Sequence, residues 1–189
     1  MLIFDEVQCG FGRTGKMFAW ENSGVVPDIL VMAKGLANGM PLSAIVSSKA
    51  IMDTQAPGSM GGTYAGNVVA CAAAHAVLKT FKEENVLANV ISRSVQFKQR
   101  LEKMVARYNF PVEQIRVNGL MIGIQFSPVV PKGTASDIAK AALKHKLMIL
   151  NTSKYEVLRL IPALNISAEE AEEGLARFER ALCDVFNAK

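Results

Sequence analysis

An acid and an amine stand at matching places early in the chain. Asp5 closes the apolar run over residues 1–4, and Lys34 follows the apolar run over residues 29–32. Branched residues bounded by Gly, Pro, Asp or Asn mark such runs as strands of a covered sheet. The two residues lie about one βαβ unit apart, ~30 residues. Parallel strands would therefore bring both side chains to the sheet edge where open α/β folds bind ligands. A lysine there can condense with an aldehyde to a Schiff base, and a nearby carboxylate can keep a pyridine nitrogen protonated by charge pairing. That is the requirement of pyridoxal phosphate chemistry, in which the protonated ring draws electrons from a bound amino compound and the released amine shuttles the proton. The residues by themselves favour a buried ion pair, or two surface charges that never meet.

A second pattern competes for the same region. Gly10-x-Gly12-x-x-Gly15 formally matches a dinucleotide-binding fingerprint. That fingerprint needs its glycines directly at a strand-to-helix turn and an acidic residue ~20 positions later. Here residues 5–9 intervene and the next strand leads to Lys34, which argues against a nicotinamide cofactor.

The elements that must position these residues are legible as periodicities. Residues 1–4, 29–32 and 42–47 read as strands, with a Gly-rich loop over 9–15 and a short helix around 18–22 stopped by Gly24 and Pro27. That spacing suits a parallel crossover. The Ala-rich run 67–82 has high helix propensity, and 86–108 is amphipathic, with Val90, Phe97, Leu101 and Met104 near one face. Beyond Pro111, strands over 115–117 and 120–126 flank a break at Asn118-Gly119. A helix over 135–145 and strands over 147–150 and 157–160 follow. Ser167-x-x-Glu170 is a capping box opening a last helix whose apolar stripe is Ala171, Leu175, Phe178, Leu182 and Val185. A boundary near 83–85 leaves residues 1–84 as part of a larger α/β cofactor domain and residues 85–189 as a small α+β domain.

Composition narrows the class. The 189 residues are 50% hydrophobic and 20% charged, enough to bury a core and too apolar for a disordered chain. The net charge of +4 comes from scattered Lys and Arg, so nucleic acid is not implied. Cys9, Cys71 and Cys183 are odd in number and lack C-x-x-C spacing, which points to neither a disulfide framework nor a metal site and suits a reducing compartment. The longest low-polarity run, 68–78, is broken by His75 and falls short of the ~20 residues of a bilayer span. No secretory leader is legible at the N-terminus. The expectation is a soluble cytoplasmic protein with no membrane partner, a mitochondrial address being the alternative if a transit peptide lay ahead of Met1.

The segment LIFDEVQCGFGRTGKMFAWENSGVVPDILVMAKGLANGMPLSA over residues 2–44 closely resembles the signature of class III (fold type I) pyridoxal-phosphate-dependent aminotransferases. This family includes 4-aminobutyrate, ornithine and acetylornithine aminotransferases. GGTYAGN at 61–67, RVNGLMIGI at 116–124 and LRLIPALNIS at 158–167 extend the match in family order over nearly the whole chain. The resemblance implies the C-terminal half of that α/β fold: an incomplete, mainly parallel sheet with helices, followed by the small α+β domain. Residue by residue, it makes Lys34 the Schiff-base lysine and proton shuttle, and Asp5 the partner of the pyridinium nitrogen. Val7 would pack on the ring face and Gln8 would hydrogen-bond near the phenolic oxygen. Thr63 would meet the cofactor phosphate of a neighbouring subunit, implying a homodimer with shared sites. Arg159 would bind the substrate carboxylate, a task suited to a planar, permanently charged fork. The plain alternatives are a core valine, a capped turn, a turn threonine before a helix and a surface arginine on an edge strand.

The implied reaction moves an amino group from an ω-amino compound, such as 4-aminobutyrate or acetylornithine, to a 2-oxo acid without a metal. The family's chain is much longer, and the part that precedes its Asp strand has no counterpart here. That part supplies most of the phosphate cradle and the aromatic residue stacked on the ring. A reading from a different class is therefore a catalytically silent fragment that dimerises with a full-length homologue.

Overall fold

Three short strands make the only sheet of the first unit among the described residues: β1 (Ile3–Asp5), β2 (Ile29–Met32) and β3 (Ala44–Ser47), in the order β1-β2-β3. In the computed structural model the chain divides into two compact units, Met1–Leu87 and Ala88–Lys189. The residues described are 1–59, 61–152 and 154–188. β1 and β2 run parallel with Asp5 opposite Val31, and β2 pairs with β3 antiparallel. The connection from β1 to β2 holds a 3-10 helix, Ala19–Asn22, where the sequence suggested a short helix. Phe11, Leu30 and Met32 form a small core, flanked by Phe4, Phe18, Trp20 and Phe81. Helices α1 (Lys49–Met52) and α2 (Val68–Glu83) complete the unit. The Asn67 side chain caps α2, accepting from the N–H groups of Val69 at 3.0 Å and Ala70 at 3.1 Å.

The expectation of a mainly parallel sheet is corrected here. Only the β1–β2 pairing is parallel, and the second unit's sheet is antiparallel throughout. The reason lies in the connections. A parallel return needs a crossover of a dozen or more residues, usually helical. The link from β2 to β3 is short and carries only the 3-10 turn Lys34–Leu36, so β3 can only fold back.

The second unit places β4 (Val112–Asn118), β5 (Met121–Phe126), β7 (Val157–Leu160) and β6 (Leu150–Asn151) side by side in that order. Its helices are α3 (Val86–Tyr108), which starts just before the division, α4 (Thr134–Lys144) and α5 (Ala168–Phe186). Side chains alternate between the faces of a strand, and on β5 the alternation buries Ile122, Ile124 and Phe126. Val90, Phe97, Leu101 and Met104 of α3 and Leu175, Phe178 and Leu182 of α5 are buried as their periodicity requires. The capping box forms: Ser167 Oγ accepts from Glu170 N–H at 3.1 Å, and Ser167 N–H donates to Glu170 Oε2 at 2.9 Å. The strand expected over 147–150 shrinks to Leu150–Asn151, the two residues that find partners on β7. No helix among the described residues is long and apolar enough to cross a membrane.

Candidate active site

Asp5 and Lys34 stand at the C-terminal ends of neighbouring parallel strands. β1 ends on Asp5, and Lys34 comes two residues after the end of β2, opening a 3-10 turn. Both residues are exposed. The Val7 N–H donates to Asp5 Oδ1 at 3.0 Å, closing a tight turn that orients the carboxylate. Oδ2 accepts no hydrogen bond from the described residues. The Lys34 amine likewise has no ion-pair partner among them.

Two carboxylates adjacent in sequence take opposite tasks. Neighbouring residues of an extended chain point to opposite sides, so Asp5 faces out and Glu6 faces in, 2% exposed. Glu6 accepts from the N–H of Ala19 at 2.6 Å and of Trp20 at 2.8 Å, satisfying the first donors of the 3-10 helix. A buried carboxylate needs such partners to be tolerated. The bonds tie the far end of the Gly-rich loop to the residue next to Asp5. The sequence reading passed over Glu6; its one signal was an acidic residue that the strand pattern would turn toward the core.

The same loop braces the lysine. Phe11 is buried with φ of 51°, and its ring meets Phe18 edge-on at 5.4 Å. A Cβ on Gly35 would stand 2.8 Å from Phe11 Cβ, so only glycine permits this approach. Lys34 has φ of 42°, a left-handed conformation unusual for a side-chain-bearing residue outside Asn and Asp. Its carbonyl accepts from the Asn38 N–H at 3.0 Å. Strained backbone of this kind persists where surrounding packing over-determines it, and here Phe11 against Gly35 is that packing. The glycines thus shape a brace and do not join strand directly to helix as a dinucleotide fingerprint requires.

The other expected site residues are placed less tightly. β1 stops at Asp5, so strand alternation does not set Val7, which is half-buried and held by the turn onto Asp5. Gln8 is exposed. Cys9 is half-buried, and burial, reinforced by the charge of Glu6, pushes its thiol above the ordinary range. Thr63 is exposed in the turn before α2, and its hydroxyl and N–H engage none of the described residues. No hydrogen bond among the described residues links it to the strand-end group.

Arg159 belongs to the second unit, on β7, opposite Gly123 of β5 and Leu150 of β6. Its Nε is buried and makes no hydrogen bond to the described residues. Arg116 of β4 also pairs with Gly123, and a Cβ there would stand 3.6 Å from Arg116 Nη2. Arg159 also borders an apolar cavity of about 300 Å3 between Phe97, Leu147, Ile149 and Phe178.

The pattern described as "Aminotransferase class-III" matches residues 1–182. Acetylornithine aminotransferase 1 of Pseudomonas syringae pv. tomato is 43% identical over 182 residues, 96% of this chain and 44% of that protein. The solved acetylornithine aminotransferase of Elizabethkingia anophelis superposes with a TM-score of 0.88 at 32% identity, over 97% of this chain and 48% of its own. The ornithine aminotransferase of Toxoplasma gondii, described with partial occupancy of PLP at its active site, gives 0.89 at 29% identity, over 99% and 44%. The chain thus spans less than half the length of these relatives.

Proposed function

The chain belongs to the class-III aminotransferases, and on that premise we propose that it carries the amino-transfer centre of a pyridoxal-phosphate enzyme acting on an ω-amino donor and a 2-oxo acid. The observation that carries the reading is the pair Asp5 and Lys34, exposed at the ends of two hydrogen-bonded parallel strands with charges that no described side chain neutralises. The donor set fits the cofactor: a carboxylate for a ring N–H, an amine for the aldehyde, and a threonine hydroxyl and N–H for a phosphate oxygen. When bound, pyridoxal phosphate supplies the aldehyde and the electron-withdrawing ring.

The chain's own residues then divide the work. Asp5, whose Oδ1 is fixed by the Val7 N–H, would hold the pyridinium nitrogen, its opposite charge keeping that nitrogen protonated. Lys34 Nζ, on a backbone braced by Phe11, takes and returns the proton at the substrate carbon. Val7 and Gln8, in the turn after β1, would pack on the ring and hydrogen-bond near its phenolic oxygen. Thr63 offers its hydroxyl to the phosphate of a neighbouring subunit, which makes a homodimer the working unit. Arg159 receives the substrate carboxylate, the charged partner that its buried, unbonded Nε lacks. The similarity to acetylornithine aminotransferases supports a donor of that kind ahead of 4-aminobutyrate.

Borohydride trapping tests the assignment. Reduction in the presence of pyridoxal phosphate, followed by peptide mass mapping, is expected to place the cofactor mass on Lys34, and Lys34→Ala to abolish the visible absorbance of the bound cofactor. Label spread evenly over the lysines, or absorbance that survives the substitution, overturns it. A second reading is a silent fragment that pairs with a longer homologue. It predicts association with such a homologue and no trapping in any combination.

A further inference from the structure

The second unit holds a polar cleft that the amino-transfer reading leaves unused. It lies where β4, β5 and the start of β7 meet the loop between β5 and α4, has a volume of about 630 Å3, and shares no lining residue with the cavity beside Arg159. That volume falls in the range of small-molecule sites.

Charge decides what the cleft takes. Its ionisable walls are three cations, Arg116, Lys132 and Lys154, and two carboxylates, Glu113 and Glu156. Glu156 is engaged at both oxygens: Oε1 accepts from the Gly133 N–H at 2.6 Å and Oε2 from the Ala135 N–H at 2.8 Å. These donors open α4, and the peptide dipoles of a helix start balance a carboxylate there. Glu113 Oε2 accepts from Gln125 Nε2 at 2.6 Å. Gln125 Oε1 in turn accepts from Arg116 Nη1 at 2.7 Å, and Gln114 Oε1 accepts from the same nitrogen at 2.6 Å. Two neutral amides therefore aim the guanidinium without cancelling its charge. Lys132 and Lys154 are exposed, and no described carboxylate pairs with either. Three cations against the one carboxylate that no helix start balances leave two positive charges, close to the roughly two negative charges of a phosphate monoester at neutral pH.

A ring completes the set. Tyr155 is 63% exposed at the rim, with Lys154 Nζ 5.5 Å from its centroid. An aromatic face left in water beside a cationic cleft is a platform on which a planar heterocycle can stack. Ser127 adds a hydroxyl, whose Oγ accepts from the Val129 N–H at 3.5 Å and whose hydrogen is left to donate. We propose that this cleft binds a nucleoside monophosphate, the base stacked on Tyr155 and the phosphate held by Arg116, Lys132 and Lys154. Its residues belong to the second unit alone and none is assigned to amino transfer, so the site stands independently of that reading.

Equilibrium dialysis of the full chain against radiolabelled adenosine monophosphate tests the site, with adenosine and inorganic phosphate as separate arms. Saturable one-to-one binding is expected, about tenfold or more tighter than in either other arm. Tyr155→Leu should weaken the nucleotide about tenfold and leave inorganic phosphate unchanged. Arg116→Lys keeps the charge, loses the planar fork, and should weaken nucleotide and phosphate alike about fivefold. Lys132→Gln with Lys154→Gln, both at exposed positions, should weaken the nucleotide about tenfold and reduce the dependence of binding on salt. No saturable binding, phosphate bound as tightly as the nucleotide, or nucleotide binding unmoved by Tyr155→Leu and by the double lysine variant overturns the proposal. Lys34→Ala should bind the nucleotide as the wild type does. Failure of borohydride trapping at Lys34 alongside intact nucleotide binding removes the amino-transfer assignment and retains this site.

Discussion

Residues 88–189 bury most of the chain's large apolar side chains, whereas residues 1–87 expose most of those left in water. In the second unit the helices α4 and α5 pack together, and residues such as Leu158 and Leu120 are wholly buried. In the first unit the core is little more than Phe11, Leu30 and Met32 with their flanking aromatics. Yet the strand-end carboxylate and amine lie in that poorer unit. The difference teaches that the candidate Asp5–Lys34 pair and most of the buried core belong to different parts of the chain. The first unit holds its site by local devices, namely Glu6 on two backbone donors, Gly35 beneath Phe11 and the turn on Asp5. The second holds its shape by burial.

The sharpest way to break that comparison is to empty one core and then the other. Phe178 is 1% exposed at the centre of α5, and Phe178→Ala is expected to cost ~3–5 kcal/mol. Leu30→Ala, at the rim of the smaller core with 9% exposure, should cost nearer ~2 kcal/mol. Urea titration measures both, and hydrogen exchange separates them. Phe178→Ala should release the amides of β5, β7 and α5 together and leave those of β1–β3 at their own faster rate. Equal costs, or simultaneous release of all seven strands, would mean that the two units share one cooperative core.

A smaller effect sharpens the local side of the contrast. Glu6→Ala leaves the N–H groups of Ala19 and Trp20 without their acceptor, at an expected ~1–3 kcal/mol. Because the loop it anchors braces Lys34, the substitution should also weaken borohydride trapping at Lys34 while Arg159, in the other unit, keeps its surroundings. Glu6→Gln retains an acceptor for one donor and should recover part of the loss. Normal trapping in Glu6→Ala would show that the brace through Phe11 stands without the carboxylate.

Much of this was legible in sequence where one periodicity acted alone. Helix α3 begins and ends where its apolar stripe does, and α5 starts at its capping box. Asp5 and Lys34 were readable as strand-end residues because branched runs precede them. The rest depends on contacts between distant residues. Glu6 looks like a surface charge until the loop returns Ala19 and Trp20 to it. The antiparallel course of β3 follows from the length of a turn, and β6 shortens because only two residues meet β7. The conformation of Lys34 is set by Phe11, more than twenty residues earlier, through a glycine whose neighbours gave no sign of it.

The smallest effect tests whether the second unit needs local devices at all. Ser167 caps α5, and replacing a serine cap by alanine usually costs ~1 kcal/mol. Glu169 lies in the first turn, where its own N–H and the Ser167 hydroxyl hold its carboxyl below the ordinary value. A carboxyl whose folded value is depressed adds stability above its unfolded value, and that stability is lost as the pH falls through the folded one. Ser167→Ala should therefore lower the melting temperature at all pH through loss of the cap bond to the Glu170 N–H, and by somewhat more at neutral pH than on the acid side, where Glu169 is protonated in both. If the second unit stands on burial, this change stays a few degrees at most and α5 remains folded. Loss of α5 would show that the buried stripe from Ala171 to Leu182 depends on its cap, and that the two units differ less in kind than their cores suggest.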